Sequence, residues 1–269
     1  MGESIFKNDL IKTIDLTCYL NCVTKYCQCL SLSGNKELSC NVFYSLTDFV
    51  LVNQNKLDND RVCSFYRDSI NAHLQCFYFN KAKEILCSYK QVTNKSAMQE
   101  FLVANREGVI NLSLENFSKA LTNFNDSLNI AKTLPNPNFW TSITHSDIAL
   151  LYFYSMPSSE NRALCINEFQ KAIDEYYKCF DDTQYRKREI LWHSAFINLL
   201  QNNFHDAKRN LTNRLKFALR YTHNSAEVAS IRKTINHTKS ARLVNYCNLI
   251  NDDFSGFTLF GFSGFDFIF

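Results

Sequence analysis

Two pairs of residues in the second half of the sequence have side chains and a spacing that suit acid–base chemistry. Arginine precedes histidine with four residues between them in Arg188…His193 and again in Arg232…His237. A histidine can act as a general base near neutral pH, and an arginine beside it can hold a phosphate group. The spacing therefore raises the hypothesis of nucleic-acid cleavage.

This Arg-x4-His spacing resembles the catalytic motif of the all-helical HEPN ribonucleases, and the resemblance implies an RNA substrate. About one arginine–histidine match at similar spacing is expected by chance in a chain of this composition. His193 follows Trp192 in a stretch that we expect to be a packed helix. We therefore interpret His193 as a structural histidine, and the sequence predicts no catalytic residue.

The cysteines raise the question of a metal site, because five of the eleven fall early in the sequence. No CxxC pair occurs among them, and a continuous helix would point the later thiols away from the earlier ones. Cysteine also behaves as a small buried hydrophobe. We interpret these residues as structural and predict neither a metal nor a cofactor. They are Cys18, Cys22, Cys27, Cys29 and Cys40.

Basic residues are concentrated between Arg186 and Arg242. This stretch holds twelve lysines and arginines and three acids, a net charge of +9, whereas the whole chain carries +3. Such a surface suits an anionic partner, including nucleic acid, although a solvated helical surface has the same composition. The candidate binding residues in this basic half are Arg186, Arg188, Lys208, Arg209, Arg214 and Lys216.

The last stretch of the sequence, 250–269, is rich in phenylalanine and glycine. Seven phenylalanines follow residue 253, and several alternate along the chain as the residues of a strand do. We predict a short extended tail that either docks on the last helical hairpins or binds a partner. The candidate contact residues in this tail are Phe257, Phe260, Phe262 and Phe265.

The elements that position these residues are predicted to be helical hairpins. In the stretch 104–132, Phe117, Ala120, Phe124 and Ser127 lie on one helical face, where the alanine lets a neighbouring helix approach closely. Stretches 61–90 and 187–221 repeat this spacing, and 141–180 holds a less regular pair. The corresponding packing residues are Phe79, Ala82 and Leu86, then Phe169, Ala172 and Tyr176, then Phe204, Ala207 and Leu211.

The hairpin of residues 104–132 resembles a tetratricopeptide repeat. The resemblance rests on the small residue Gly108 in its first helix and on the aromatic and alanine positions of its second helix. The aromatic positions typical of the first helix of that family are replaced by Ala104 and Asn111, and the closing proline is displaced to Pro135. The resemblance implies stacked hairpins with a concave groove that binds a peptide or a protein.

The sequence thus predicts an all-α stack of TPR-like helical hairpins with a short Phe-rich extended tail. We expect N-terminal helices over 1–60, the repeats over 61–249 and the tail over 250–269. The expected function is a non-enzymatic scaffold or sensor module that binds a protein or peptide. The alternative is a helical nucleic-acid-binding protein or a HEPN-like ribonuclease that uses the basic half.

The expected cellular location follows from the composition of residues 1–9 and from the length of the apolar runs. The first residues lack the apolar core of a secretory signal, and no run approaches the length of a membrane span. Eleven cysteines without such a signal favour a reducing compartment and free thiols. The sequence therefore predicts a cytoplasmic protein.

Overall fold

The computed structural model describes residues 15–155, 158–179 and 184–222, together with residues 228, 231, 232 and 235. This part of the chain is all-helical and contains no strand, as predicted. A short 3-10 turn at Gln54–Lys56 lies between two of the α-helices, and a π-helical turn at Ala218–Thr222 follows the last of them. The helices are α1 Leu16–Leu32, α2 Lys36–Asn53, α3 Asn59–Gln75, α4 Phe79–Lys90, α5 Ala97–Ser113, α6 Phe117–Ala131, α7 Pro137–Ser155, α8 Ser159–Lys178, α9 Gln184–Leu200 and α10 Phe204–Phe217.

The helices pack mainly on their neighbours along the chain and form two compact units. Unit 1 contains the described residues up to Leu114, and unit 2 begins at Glu115. In unit 1, α1 and α5 each pack on α3, while α2 packs on α4. The first helices of the hairpins, α1, α3 and α5, therefore form one layer, and the second helices, α2 and α4, form another. In unit 2, each helix from α6 to α10 packs on the next one.

Side-chain caps determine where several helices begin. Asp15 and Asp58 accept hydrogen bonds from backbone N–H groups in the first turns of α1 and α3. Ser96 and Gln99 form a reciprocal capping box at the start of α5, and Ser158 caps α8. Each such cap stabilises its helix by about 1 kcal/mol.

Four hairpin turns share one backbone conformation, in which the second residue has a positive φ. The φ angles are 89° at Gly34, 60° at Phe77, 60° at Glu115 and 61° at Asn202. In three of these turns the N–H of the next residue donates to the carbonyl five positions earlier, as in a Schellman motif. The common geometry means that the same type of hairpin recurs along the chain.

A small buried residue follows each of these turns at the same spacing in the second helix. Ser39, Ala82, Ala120 and Ala207 all have no exposed surface, and each lies five positions after the positive-φ residue. The next residue on that helical face, four positions later, is large, apolar and buried in every case. These larger residues are Phe43, Leu86, Phe124 and Leu211.

The predicted hairpin elements are present, with small shifts at their ends. The stretch 104–132 contains the end of α5 and the whole of α6, but α5 begins earlier, at its Ser96 cap. The α1–α2 hairpin, which the sequence predicts only as N-terminal helices, has the same turn and spacing, with serine at position 39 where the others have alanine. The predicted boundaries at 60 and 249 stay predictions, and the extended tail lies outside the described residues.

Candidate functional site

The layer of first helices in unit 1 carries a line of amide, guanidinium and carboxylate side chains. Side-chain hydrogen bonds connect these groups across α1 and α3, and α5 packs on α3 beside them. We name this surface the amide–guanidinium face. It comprises Asn21, Gln28, Arg61, Arg67, Asp68 and Arg106.

Asp68 is the fixed centre of this face. Its carboxylate is almost fully buried, and it accepts one hydrogen bond from Gln28 Nε2 at 2.8 Å and another from Arg67 Nε at 2.8 Å. A buried carboxylate needs such partners, because removal from water disfavours its charge. The two bonds hold the Gln28 amide and the Arg67 guanidinium in fixed positions, where they remain partly exposed.

A second bond between the same two helices lies two turns away. Arg61 Nη1 donates to Asn21 Oδ1 at 3.4 Å. Asn21 and Gln28 are seven residues apart in α1, and so are Arg61 and Asp68 in α3, so each pair shares a helical face. Both bonds join residues that are 40 positions apart, so α1 and α3 lie in register along the same direction.

Arg106 of α5 extends the face on the other side of α3. Its Nη1 donates to Asn105 Oδ1 at 2.8 Å. Burial raises the pKa of Tyr89, whereas the positive charges of Arg67 and Arg106 both act to lower it. The face therefore combines arginines from two neighbouring helices.

Guanidinium and amide groups held in this way can recognise a peptide. Arginine binds carboxylates through paired N–H donors, and asparagine and glutamine can bond to the C=O and N–H of an extended backbone. Neither interaction needs a bound metal or a nucleophile. The side chains of the amide–guanidinium face can therefore supply recognition chemistry.

A comparison with known protein families finds no matching family model, and a search of curated proteins finds no similar sequence.

The predicted basic residues of unit 2 lie in different environments. Lys208, Arg209 and Lys216 are exposed on the outer face of α10, and Arg209 Nη1 lies 3.0 Å from Asp206 Oδ1. Arg188 is partly buried and pairs with Glu189 at 2.8 Å. Only part of the predicted set thus forms one surface, which we name the α10 basic face. It comprises Lys208, Arg209, Lys216 and Arg220.

Arg214 does not belong to this surface, because it is only 3% exposed. Its guanidinium carbon lies 4.4 Å from the ring centroid of Trp192, as in a cation–π contact. Burial acts to raise the pKa of Glu189, but the positive charges of Arg188 and Arg214 hold it below its usual value. Glu189 and Arg214 are therefore both buried in the core of unit 2, where Glu189 keeps its charge because of the two arginines.

The side chain of one further predicted basic residue and the predicted tail residues lie outside the described part of the structure. Arg186 falls within α9, but its side-chain surroundings are not described. The remaining candidates lie entirely outside the described residues. They are Phe257, Phe260, Phe262 and Phe265.

His193 lies in the core of unit 2, with no exposed surface. Its Nε2 lies 3.0 Å from Ser146 Oγ, whose hydroxyl donates to the carbonyl of Ser142 at 2.9 Å. His193 therefore donates to Ser146, whereas a histidine that activates a serine must accept its proton. The ring centroids of Phe169 and Tyr176 lie 5.2 and 5.8 Å from that of His193, so aromatic rings pack around the imidazole. We therefore assign His193 a structural role.

The buried His193 makes the stability of the protein depend on pH. Burial lowers the pKa of His193 to about 4, and the charge of Arg214 acts in the same direction, against the opposing charge of Glu189. The unfolded chain has the ordinary pKa of 6.5 and binds the extra proton first. We therefore expect the free energy of unfolding to fall by about 2–3 kcal/mol between pH 7 and pH 4.5 through this residue.

Urea unfolding at the two pH values measures this loss. The exposed His205 of α10 supplies the matched control, since His205→Gln removes a histidine that remains in water. The wild type and His205→Gln should lose stability equally, and His193→Gln should lose about 2–3 kcal/mol less. Equal losses in all three proteins would contradict the buried, neutral state of His193.

A second histidine, His145, lies at the contact between α7 and α8. Its Nδ1 is 2.7 Å from Glu168 Oε2, and Lys171 Nζ is 2.6 Å from the other carboxylate oxygen. Burial acts to raise the pKa of Glu168, but its bonds to His145 and Lys171 hold it below its usual value. These bonds hold α7 against α8. We therefore assign His145 and Glu168 a structural role.

The early cysteines of the described chain do not gather at one site. Cys27 and Cys40 are buried, whereas Cys18, Cys22 and Cys29 are exposed, so the early thiols point in different directions. Within the described residues, no group of three or more metal-ligating side chains converges.

Over the same residues, none of the helices combines the length and apolarity needed to cross a membrane.

The patterns of the sequence do not predict the amide–guanidinium face. The bonded partners lie 40 residues apart but differ in residue type, since asparagine is bonded to arginine and glutamine to aspartate. A pattern of matching alanines and phenylalanines therefore does not reveal them. The candidate set came instead from net charge, which cannot separate a buried arginine from an exposed one.

Proposed function

We propose that this chain is a non-enzymatic, TPR-like scaffold that binds an extended segment of a protein partner on its amide–guanidinium face. The observation that carries the proposal is the pair of bonds between residues 40 positions apart, Gln28 to Asp68 and Arg61 to Asn21. Helical repeats in register present equivalent side chains at regular intervals, which suits an extended chain.

The second layer of unit 1 supports a repeat of the same length. Tyr44 donates to Glu84, 40 residues away, and Tyr78 donates to Glu37, 41 residues away. This period is longer than the ~34 residues of a tetratricopeptide repeat. The proposed relationship to that family is therefore one of architecture, with longer helices in each hairpin.

The proposed partner carries carboxylates, because the exposed donors of the face are guanidinium groups. Arg61 is the most accessible of them, and Arg67 is partly exposed and held by Asp68. A cytoplasmic location agrees with the ten cysteines of the described chain, all of which are free thiols. No cofactor takes part in the proposed binding.

A display library of random peptides, selected on the full-length chain, tests the proposal. We expect acidic peptides to be selected and Arg61→Glu to weaken their binding about tenfold or more. Lys83→Glu is the matched control, since it makes the same charge change on an exposed residue in the other layer of unit 1. Equal weakening by both variants, or selection of peptides without acids, would contradict the proposed site.

Nucleic-acid binding is the second candidate function, and the α10 basic face favours it. Four cations lie on this side of the helix and its extension, with Asp206 as the nearby acid. A HEPN-like ribonuclease would need a different base from His193, whose imidazole is buried, and His237 lies outside the described residues. A mobility shift with RNA that weakens with salt and with Lys208→Ala/Lys216→Ala would favour this function over peptide binding.

A further inference from the structure

Cys40 and Cys76 lie in different hairpins of unit 1, yet their side chains meet. Cys40 belongs to the second turn of α2 in the first hairpin, and Cys76 is the C-cap of α3 in the second hairpin. The two thiols form a hydrogen bond with each other. Two thiols in contact, from segments that are 36 residues apart in the sequence, are a candidate pair for oxidation.

The contacts of the residues on either side of Cys40 show which part of the chain it faces. Glu37, Cys40 and Tyr44 share one face of α2, because they are three and four residues apart. Glu37 accepts a hydrogen bond from the Tyr78 hydroxyl at 3.3 Å. The ring centroid of Tyr44 lies 6.0 Å from that of His73. Cys40 therefore faces the end of α3 and the turn that follows it.

Cys76 lies in the middle of that part of the chain, where α3 ends. Its backbone N–H donates to the carbonyls of Ala72 and His73, and the next residue, Phe77, already has the turn conformation with a φ of 60°. Helix ends fray, so this backbone adjusts more easily than the interior of a helix. A small movement of Cys76 can therefore bring the two sulfurs to the bond length of about 2.0 Å.

The two thiols differ in their access to solvent. Cys40 is buried, and burial together with the hydrogen bond to Cys76 raises its pKa, against the opposing charge of Lys81. Cys40 therefore keeps its proton near neutral pH. Cys76 is partly exposed, so an oxidant dissolved in water reaches Cys76 first. A reactive thiol beside a second thiol that resolves it is the arrangement of a reversible oxidation site.

We propose that Cys40 and Cys76 are a peroxide-sensitive pair that is oxidised to a disulfide between the first and second hairpins. The Cys76 thiolate attacks one oxygen of hydrogen peroxide, the O–O bond breaks, and the departing hydroxide takes up the thiol proton as water. The Cys40 sulfur then attacks the sulfur of the Cys76 sulfenic acid. The S–O bond breaks, and the Cys40 proton leaves with the hydroxide as a second water.

The electrons of this reaction balance, because the two thiols lose two electrons and one peroxide gains them. A dithiol reductant reverses it by exchange through a mixed disulfide. Disulfides that form in a reducing compartment are usually transient and redox-sensing, which suits a pair that is reduced at rest. The proposal does not depend on what the amide–guanidinium face binds.

A second thiol pair of the described chain provides a comparison. Cys18 and Cys22 are also hydrogen-bonded to each other, but they lie four residues apart in the continuous helix α1. Their Cβ atoms are then about 5–6 Å apart, whereas a disulfide needs about 3.5–4.5 Å. Thiol contact alone therefore does not suffice, and the position of Cys76 at a helix end distinguishes it.

Peroxide treatment of the full-length chain, followed by alkylation of the remaining thiols and peptide mass spectrometry, tests the proposal. We expect the peptide that links Cys40 to Cys76 to be about tenfold or more abundant than one that links Cys18 to Cys22. Dithiothreitol should remove the link. Cys40→Ser should stop the reaction at the sulfenic acid of Cys76, which dimedone traps.

Two further variants and a melting curve complete the experiment. Cys87→Ser removes an exposed thiol of α4 and should leave the link unchanged. Cys76→Ser should abolish the link, and peroxide should then raise the melting temperature of the wild type but not of this variant, because only the wild type gains a cross-link. A wild type without the link, a link that joins two separate chains, or dimedone labelling of Cys40 in Cys76→Ser would overturn the proposal.

Discussion

Replacing Glu189 with alanine should lower the free energy of unfolding by about 3–5 kcal/mol, the largest effect that we expect from a single charge. Glu189 is buried beside Arg188 and Arg214, and it holds its negative charge because of them. Removal of the carboxylate takes away the negative charge that the guanidinium groups of Arg188 and Arg214 face in the core. The contact of Arg214 with Trp192 compensates for only part of that loss.

Chemical denaturation of the variant and of two comparison proteins checks this expectation. Glu175→Ala removes a carboxylate whose partner, Lys178, is exposed, and it should cost less than about 1 kcal/mol. Glu189→Ala/Arg214→Met removes both buried charges and should recover much of the lost stability. A similarly small loss of unfolding free energy in Glu189→Ala and Glu175→Ala would contradict the buried, charged state of Glu189.

Tryptophan at the small positions of the hairpins should also destabilise the protein strongly. Ala120 and Ala207 have no exposed surface, and a larger side chain at either position must displace the helix packed against it. We expect each of Ala120→Trp and Ala207→Trp to cost about 3 kcal/mol or more, at the upper end of the overpacking range.

Thermal unfolding measures this effect, with an exposed neighbour as the control. Lys119 lies beside Ala120 in α6 but faces solvent, so Lys119→Trp introduces the same ring without overpacking. The control should melt within a few degrees of the wild type, because surface substitutions usually change stability by ~0.5 kcal/mol or less. An unchanged melting temperature in both alanine variants would show that the assigned helical face is wrong.

The helical hairpins could be predicted because their signals are local. Ala120 and Phe124 lie one turn apart on one face, and this spacing is readable without knowledge of any distant residue. The buried state of Arg214 could not be predicted in this way. It depends on Trp192 of the preceding helix and on Glu189 one turn earlier, and side-chain direction decides whether the three meet.

The amide–guanidinium face and the Phe77 conformation escaped prediction for different reasons. Asp68 is a charged residue in a helix of low average hydropathy, which suggests a solvent-facing side, yet packing against neighbouring helices buries it. Phe77 occupies a turn position where sequence rules predict glycine or asparagine. At Asp68, tertiary contacts override the local preference.

The neighbour-to-neighbour packing of the helices has a kinetic consequence. Most contacts between helices join neighbours along the chain, so the chain closes only short loops as each helix docks. Proteins with such local contacts fold fast for their length, and assembly can begin at any hairpin. The same connectivity lets one hairpin open while others stay closed, so a ligand that bridges two hairpins slows opening at both.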